Sequence, residues 1–275
     1  MYVYLISAAA ALGGLLFGFD IAVINGALVF LRRQFQLSDL QTEIAASGLL
    51  LGCVAGASLA GTLSDRFGRK RVLLWSAVLF LASSVGAALP RNLAEFTAAR
   101  LLGGMAIGME SMLSPLYVAE ISPARIRGRL VALNQLAIVI GILCAYLIGW
   151  LLAGLGEASW RWMFASATLP SLLFVISFVR CPETPRWLIQ QGRLDEARSV
   201  LTRVGTDGEI EGQVREIQET IVSERESLAQ LFEPRLRRPL IIAVSLAILQ
   251  QVTGINTILF YGSLIFTEKV AAQTA

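Results

Sequence analysis

Histidine is absent from the 275 residues, and cysteine occurs only three times. Without histidine the chain lacks the commonest metal ligand and the side chain whose ordinary titration falls near neutrality. Cys53, Cys144 and Cys181 lie in or beside apolar runs with no paired spacing, which argues against a disulfide frame or metal site and for free thiols. Charge is scarce as well, at 16% of residues against about a quarter in a soluble domain. Residues 130–156 and 239–267 hold no charge at all. This excludes a uniform soluble globule, a nucleic-acid binder and a disordered chain.

What is present is apolar sequence: 55% hydrophobic residues and a mean hydropathy of +0.65. A hydrocarbon core about 30 Å thick needs roughly 20 apolar residues per helix. Seven such runs are found, at about 2–31, 44–64, 72–89, 93–119, 130–154, 162–179 and 239–266, the first interrupted by Asp20. No strand alternation with barrel spacing occurs, so the spans read as helices of an integral membrane protein. The first run lacks a charged leading segment, and apolar sequence resumes after Asp20. It reads as a span, not as a cleaved signal.

The basic residues orient the spans. The loops between spans two and three, four and five, and six and seven hold 17 of the 23 Lys and Arg residues. The positive-inside rule places those loops and the N-terminus in the cytoplasm. The long loop contains two amphipathic stripes, Leu194, Ala197, Val200 and Leu201, then Ile210, Val214, Ile217 and Ile221. They predict short cytoplasmic helices beneath the bundle. The chain divides into a six-helix bundle (1–180), a cytoplasmic helical loop (181–238) and a further transmembrane segment (239–275).

Charges within spans are costly and usually functional. Asp20 lies in a glycine-rich stretch of span one, and Arg100 in span four is its candidate partner. Such a pair can act as a proton switch, because protonating Asp20 would free Arg100; the other reading is a static ion pair that fixes helix register. Between spans two and three, Gly61 and Asp65 stand at i and i+4. Gly61 allows a neighbouring helix to approach, and Asp65 is placed to cap that helix's N-terminus. Gly68 suits a turn of positive φ. Gln250, Gln251 and Asn256 crowd into two turns of an apolar span. Amides both donate and accept, so they suit neutral hydroxyl groups. Facing lipid they would be expensive, which predicts a cavity; interhelical bonding by Gln251 or Asn256 is the alternative.

The turn Gly61-Thr62-Leu63-Ser64-Asp65-Arg66-Phe67-Gly68-Arg69-Lys70-Arg71 resembles the signature loop of the major facilitator superfamily. Three further segments are similar to its sugar porter family. They are Arg100-Leu101-Leu102-Gly103-Gly104 followed by the segment from Ser114 to Gly128, then Pro182-Glu183-Thr184-Pro185-Arg186-Trp187-Leu188, then Gln250-Gln251-Val252-Thr253-Gly254-Ile255-Asn256. The resemblance covers essentially the whole chain and points to the xylose–proton symporters and glucose facilitators. It implies an all-α fold of twelve spans, of which seven lie here and five would follow Ala275.

The same resemblance implies roles. Asp20 corresponds to the proton-coupling acid and Arg100 to its partner, with the proton as coupling ion and no other cofactor. Phe17, Gln135, Gln250, Gln251 and Asn256 correspond to sugar contacts. Gly61, Asp65, Arg66, Gly68, Arg69, Glu120, Arg127, Glu183 and Arg186 correspond to a cytoplasmic gating network. Two positions depart from the pattern. Ile142 stands where the xylose symporters carry Gln, and Glu110 is an acid where other members carry small or neutral residues. Glu110 either faces the bundle and tunes proton coupling, or pairs with a loop Arg.

These features describe a monosaccharide transporter of a bacterial-type inner membrane, with sugar and lipid as its partners and no nucleic acid or obligate protein partner. Proton symport by alternating access is favoured by Asp20. A facilitative uniporter, a non-transporting sugar sensor and an inactive fragment are the alternatives. No nucleophile–base constellation suggests an enzyme.

Overall fold

The computed structural model describes residues 2–205, 210–223, 234–262 and 265, and all regular structure among them is helical. The long helices are α1 (Tyr2–Gln34), α2 (Asp39–Phe67), α3 (Arg69–Ala88), α4 (Leu93–Ile121) and α5 (Ala124–Leu152). The sixth span is built from α6 (Ser159–Ser166) and α7 (Thr168–Val179). Three shorter helices follow, α8 (Pro185–Gln190), α9 (Leu194–Val204) and α10 (Ile210–Ser223), before α11 (Pro234–Val252). Among the described residues, seven helical segments are long and apolar enough to cross a membrane.

Local chemistry moves several boundaries away from the apolar runs. α1 passes through Asp20 without a break, so the acid interrupts the apolar run but not the helix. α2 starts at Asp39, five residues before its apolar run, because Ser38 and Gln41 close a capping box. α5 starts at Ala124 and carries Arg125, Arg127 and Arg129 in its first turns. The sixth span breaks at Ala167, where Pro170 offers no N–H to the carbonyl four residues back. The seventh span breaks after Val252; Gly254 takes a φ of +71° and helix resumes over 255–262. Residues 263–264 and 266 at the end of that span, and the whole segment at 267–275, lie outside the described residues.

Two close helix crossings hold the bundle together, α1 on α5 and α2 on α4. Each is made by glycines whose missing side chains admit the partner's backbone. A Cβ on Gly18 would fall 2.0 Å from the Ile138 carbonyl oxygen, and one on Gly56 would fall 2.1 Å from that of Met105. Small residues are what lets apolar helices associate in lipid, where burial adds no hydrophobic gain. α3 packs outside α4, against α6 and α7. Phe96, Trp160 and Phe164 lock this side edge to face, with centroids 5.4 Å apart for Phe96–Phe164 and 6.1 Å for Phe96–Trp160.

The two predicted amphipathic helices form. Ala197, Val200, Leu201 and Val204 of α9 are buried, as is Val214 of α10, while Ile210, Ile217 and Ile221 are half-buried against the same cluster. Much of α5 and α11 is left uncovered, with Leu143, Leu147, Trp150, Ile242 and Leu246 exposed.

Candidate functional site

Asp20 and Arg100 meet in the bundle interior, Nη1 to Oδ1 at 2.6 Å. The contact is one-pronged. Asp20 Oδ2 and Arg100 Nε and Nη2 are buried without a hydrogen-bond partner. The Phe164 ring lies 5.3 Å from Cζ, within cation–π range of the guanidinium. A forked pair would have satisfied two further polar atoms. Three buried polar atoms left bare make a poor static lock, since each carries a desolvation cost.

Glu110 also lies inside the bundle, 1% exposed, and neither of its carboxylate oxygens has a hydrogen-bond partner. Gly13 of α1 faces it, a Cβ there falling 3.6 Å from Oε2. Among the described residues it forms no ion pair with a loop arginine, and it faces the bundle. Nearby, Ser114 donates to the Ala10 carbonyl at 2.6 Å and contacts Asn134 at 3.2 Å. Ser114 and Asn134, both buried, escaped notice in the sequence. Their signal was a polar side chain inside an apolar run.

The residues matched to sugar contacts lie on α1, α5 and the seventh span. Phe17 is half-buried, and Gln135, Gln250 and Gln251 are exposed. Asn256 donates from Nδ2 to Gln251 Oε1 at 2.8 Å. Among the described residues no hydrogen bond joins these amides to Gln135. The link between α1 and the seventh span is Asn25, which donates to the Ile258 carbonyl at 3.3 Å. Beside it, a cavity of about 390 Å³ opens between α1, α5 and the seventh span, lined by Asn25, Tyr146, Trp150 and Gly262 among others.

At the other end, Arg69 is buried and holds three partners. It reaches Glu120 Oε2 at 3.2 Å, Asp65 at 3.1 Å and the Ser64 carbonyl at 3.1 Å. Asp65 is mostly exposed and caps no helix among the described residues. Glu183 caps α3 itself, accepting the Lys70 N–H at its start at 3.0 Å and the Thr184 N–H at 3.0 Å. Burial pushes the Glu183 carboxyl above its ordinary range, against those two amides and Arg69, which lower it. Trp187 Nε1–H donates to the Asp65 carbonyl at 3.0 Å, and Tyr117 donates to that of Pro182 at 2.7 Å. Gly68 takes φ +97° and ψ 151°, and Arg66 lies over the Phe67 ring at 5.2 Å.

Arg127 and Arg186 join Asp65, Arg69 and Glu120 around a cavity of about 1090 Å³, roofed by Gln213, Glu216 and Thr220 of α10. The structure thus gathers most of the sequence-matched charges at one mouth of the bundle. Among the described residues, a Cβ on Gly61 would meet only Met112 Cε, at 3.7 Å. Packing among them does not require a glycine there.

The profile of a family described as sugar (and other) transporter matches residues 6–274. The chain belongs to that family. It is 40% identical over its whole length to the arabinose-proton symporter of Bacillus subtilis, of which it covers 61%. It is 42% identical to the glucose transport protein of Synechocystis, with 98% of the chain aligned to 61% of that relative. The proton:xylose symporter XylE of E. coli, solved with 6-bromo-6-deoxy-D-glucose, superposes with a TM-score of 0.85 at 36% identity. That match covers 95% of this chain and 62% of XylE. The fold is that of the major facilitator superfamily, with seven spans among the described residues, and the chain is an integral membrane protein.

Proposed function

We propose that this chain carries the proton switch and part of the sugar site of a monosaccharide–proton symporter working by alternating access. The observation that carries the reading is the one-pronged Asp20–Arg100 pair with its bare polar atoms. Protonation of Asp20 frees Arg100, and sugar binding is coupled to that change. Phe17, Gln135, Gln250, Gln251 and Asn256 contact the sugar from α1, α5 and the seventh span, at the junction of two helical halves. The family relatives named as symporters or transporters of arabinose, glucose and xylose support a pentose or hexose substrate. No step makes or breaks a covalent bond in the sugar.

The cluster around Arg69 acts as the cytoplasmic gate. Gly61 and exposed Asp65 offer a face on which a helix of the second half docks when the cavity opens outward. The N-terminus and the loop at 181–238 lie in the cytoplasm of a bacterial-type inner membrane, as the distribution of Lys and Arg supports.

The deciding experiment is sugar-driven proton uptake in vesicles carrying the transporter. Asp20→Asn is expected to abolish proton uptake and accumulation while sugar exchange across the membrane persists. Proton uptake retained in Asp20→Asn would overturn the assignment.

A further inference from the structure

One segment of the chain occurs twice. Leu12-Gly13-Gly14-Leu15-Leu16-Phe17-Gly18-Phe19-Asp20 in α1 and Leu102-Gly103-Gly104-Met105-Ala106-Ile107-Gly108-Met109-Glu110 in α4 share their leucine and all three glycines in register. Both end in an acid. The repeat extends to the helix crossings. Cβ atoms on Gly14 and Gly18 would fall 2.7 and 2.0 Å from the carbonyl oxygens of Asn134 and Ile138, four residues apart on α5. On Gly104 and Gly108 they would fall 2.1 and 2.2 Å from those of Leu49 and Cys53, four residues apart on α2. The return contacts repeat too. Gly141 meets the Leu15 oxygen and Gly56 the Met105 oxygen, each at 2.1 Å, and Leu15 and Met105 hold the same place in the repeat. Asp20 and Glu110 are therefore equivalent positions in two copies of one crossing.

The copies run in opposite directions through the membrane, so the two acids stand at different depths. Glu110 is level with Gly13 of α1, seven residues before Asp20. At 1.5 Å per residue that is about 10 Å nearer the N-terminal, cytoplasmic end. The groups around Glu110 are few. α1 presents Gly13 and, further along, Asp20; α3 presents Ser76; α7 presents Phe174 across Gly13. Cys53 of α2 lies within range of the Asp20–Arg100 pair. The Ser76 hydroxyl gives its proton to the Leu73 carbonyl at 2.8 Å, and Arg100 is engaged by Asp20. An ionised Glu110 thus has no cation bonded to it, and the Ser76 hydroxyl, shared with the Leu73 carbonyl, is its one neighbouring donor, a costly state that a bound proton removes.

We propose that Glu110 is a second proton-carrying carboxyl, placed on the cytoplasmic side of Asp20. The proton leaves the Asp20 carboxyl, crosses the intervening distance on water, and binds a Glu110 oxygen. Asp20 is left as the carboxylate paired with Arg100, and Glu110 releases the proton towards the cytoplasmic mouth. This rests on the symport reading above and adds a site to it.

The test pairs transport with infrared titration of the purified transporter in lipid. Glu110→Gln is expected to lower accumulation relative to counterflow at least tenfold and to shift the pH profile of uptake. It should also delete one protonated-carboxyl C=O band, different from the band deleted in Asp20→Asn. A parent protein that takes up no protons with sugar would sink the symport reading, while the infrared bands still decide whether Glu110 binds a proton. Should Glu110→Gln fail to fold, Glu110→Asp must move that band. An unchanged coupling ratio and pH profile, or spectra with no band assignable to Glu110, would overturn the proposal.

Discussion

Gly68 and Gly61 belong to the same turn motif, yet their surroundings differ. Gly68 sits at φ +97° and ψ 151°, a region nearly closed to residues with a Cβ, where a side chain costs about 1–3 kcal/mol. A Cβ there would also lie 2.3 Å from Glu183 Oε2, displacing the cap on α3. Gly68→Ala is expected to lower the thermal unfolding midpoint by several degrees, and Gly61→Ala to leave it unchanged. Unfolding scans of the detergent-solubilised variants check both. Gly61→Ala should instead impair transport if a second helix docks beside Asp65.

Glu183 makes a pH prediction with a definite sign. Its carboxyl titrates higher in the folded protein than its ordinary 4.5, and burial is the largest cause. In the window from 4.5 up to that raised value the folded state binds the proton more readily than the unfolded chain. Stability from this group is therefore present in full at and below pH 4.5 and declines as pH rises through the window. Glu183→Gln keeps an acceptor but cannot titrate. The midpoint of the parent minus that of Glu183→Gln should fall as pH rises from 4.5 towards neutrality; a difference that grows with pH would contradict this. By contrast, burial holds the Cys181 thiol up at about 11, so it is protonated and slow to alkylate at neutral pH.

Among the elements, the paired crossings carry the fold. In both, backbone lies against backbone, and no side-chain rotation makes room for a methyl group. Gly56→Ala places a carbon 2.1 Å from the Met105 oxygen and forces α2 from α4, whereas Gly149→Ala on α5 meets nothing within 4 Å. The first is expected to destabilise by roughly 1–3 kcal/mol, and the second to stay within about 0.5 kcal/mol of the parent. Unfolding midpoints and yield of monodisperse protein measure the contrast. The helix breaks at Ala167 and Gly254 are also element-scale features. Pro170 and the Thr253-Gly254 step were visible in the sequence, but apolar runs pass straight through both. Hydropathy does not register a kink.

At the scale of the whole molecule, the arginine-rich loops and the charge cluster share one end of the bundle, with α9 and α10 beneath it. A cysteine at Glu219 should react with an impermeant maleimide only after the membrane is opened. One at Glu157 should react in intact cells. The reverse pattern would invert the topology. The uncovered face of α5 and the seventh span leaves the matched sugar residues Gln135, Gln250 and Gln251 exposed, and the chain spans 61% of its curated symporter relative.

Much of this was legible without coordinates. Seven spans and the two amphipathic stripes follow from local composition, because lipid demands about 20 apolar residues per helix and the stripe repeats every few residues. Asp20, Arg100 and Glu110 were also conspicuous as charges in apolar runs. What only the tertiary structure decided is which polar groups meet. Asp20 and Arg100 are 80 positions apart, and their single-pronged contact depends on how α1 and α4 cross. Glu183 caps α3 because the chain returns from the sixth span to that turn. The fate of Glu110 rests on the same ground: its isolation is set by three neighbouring helices, and no property of its own segment records them.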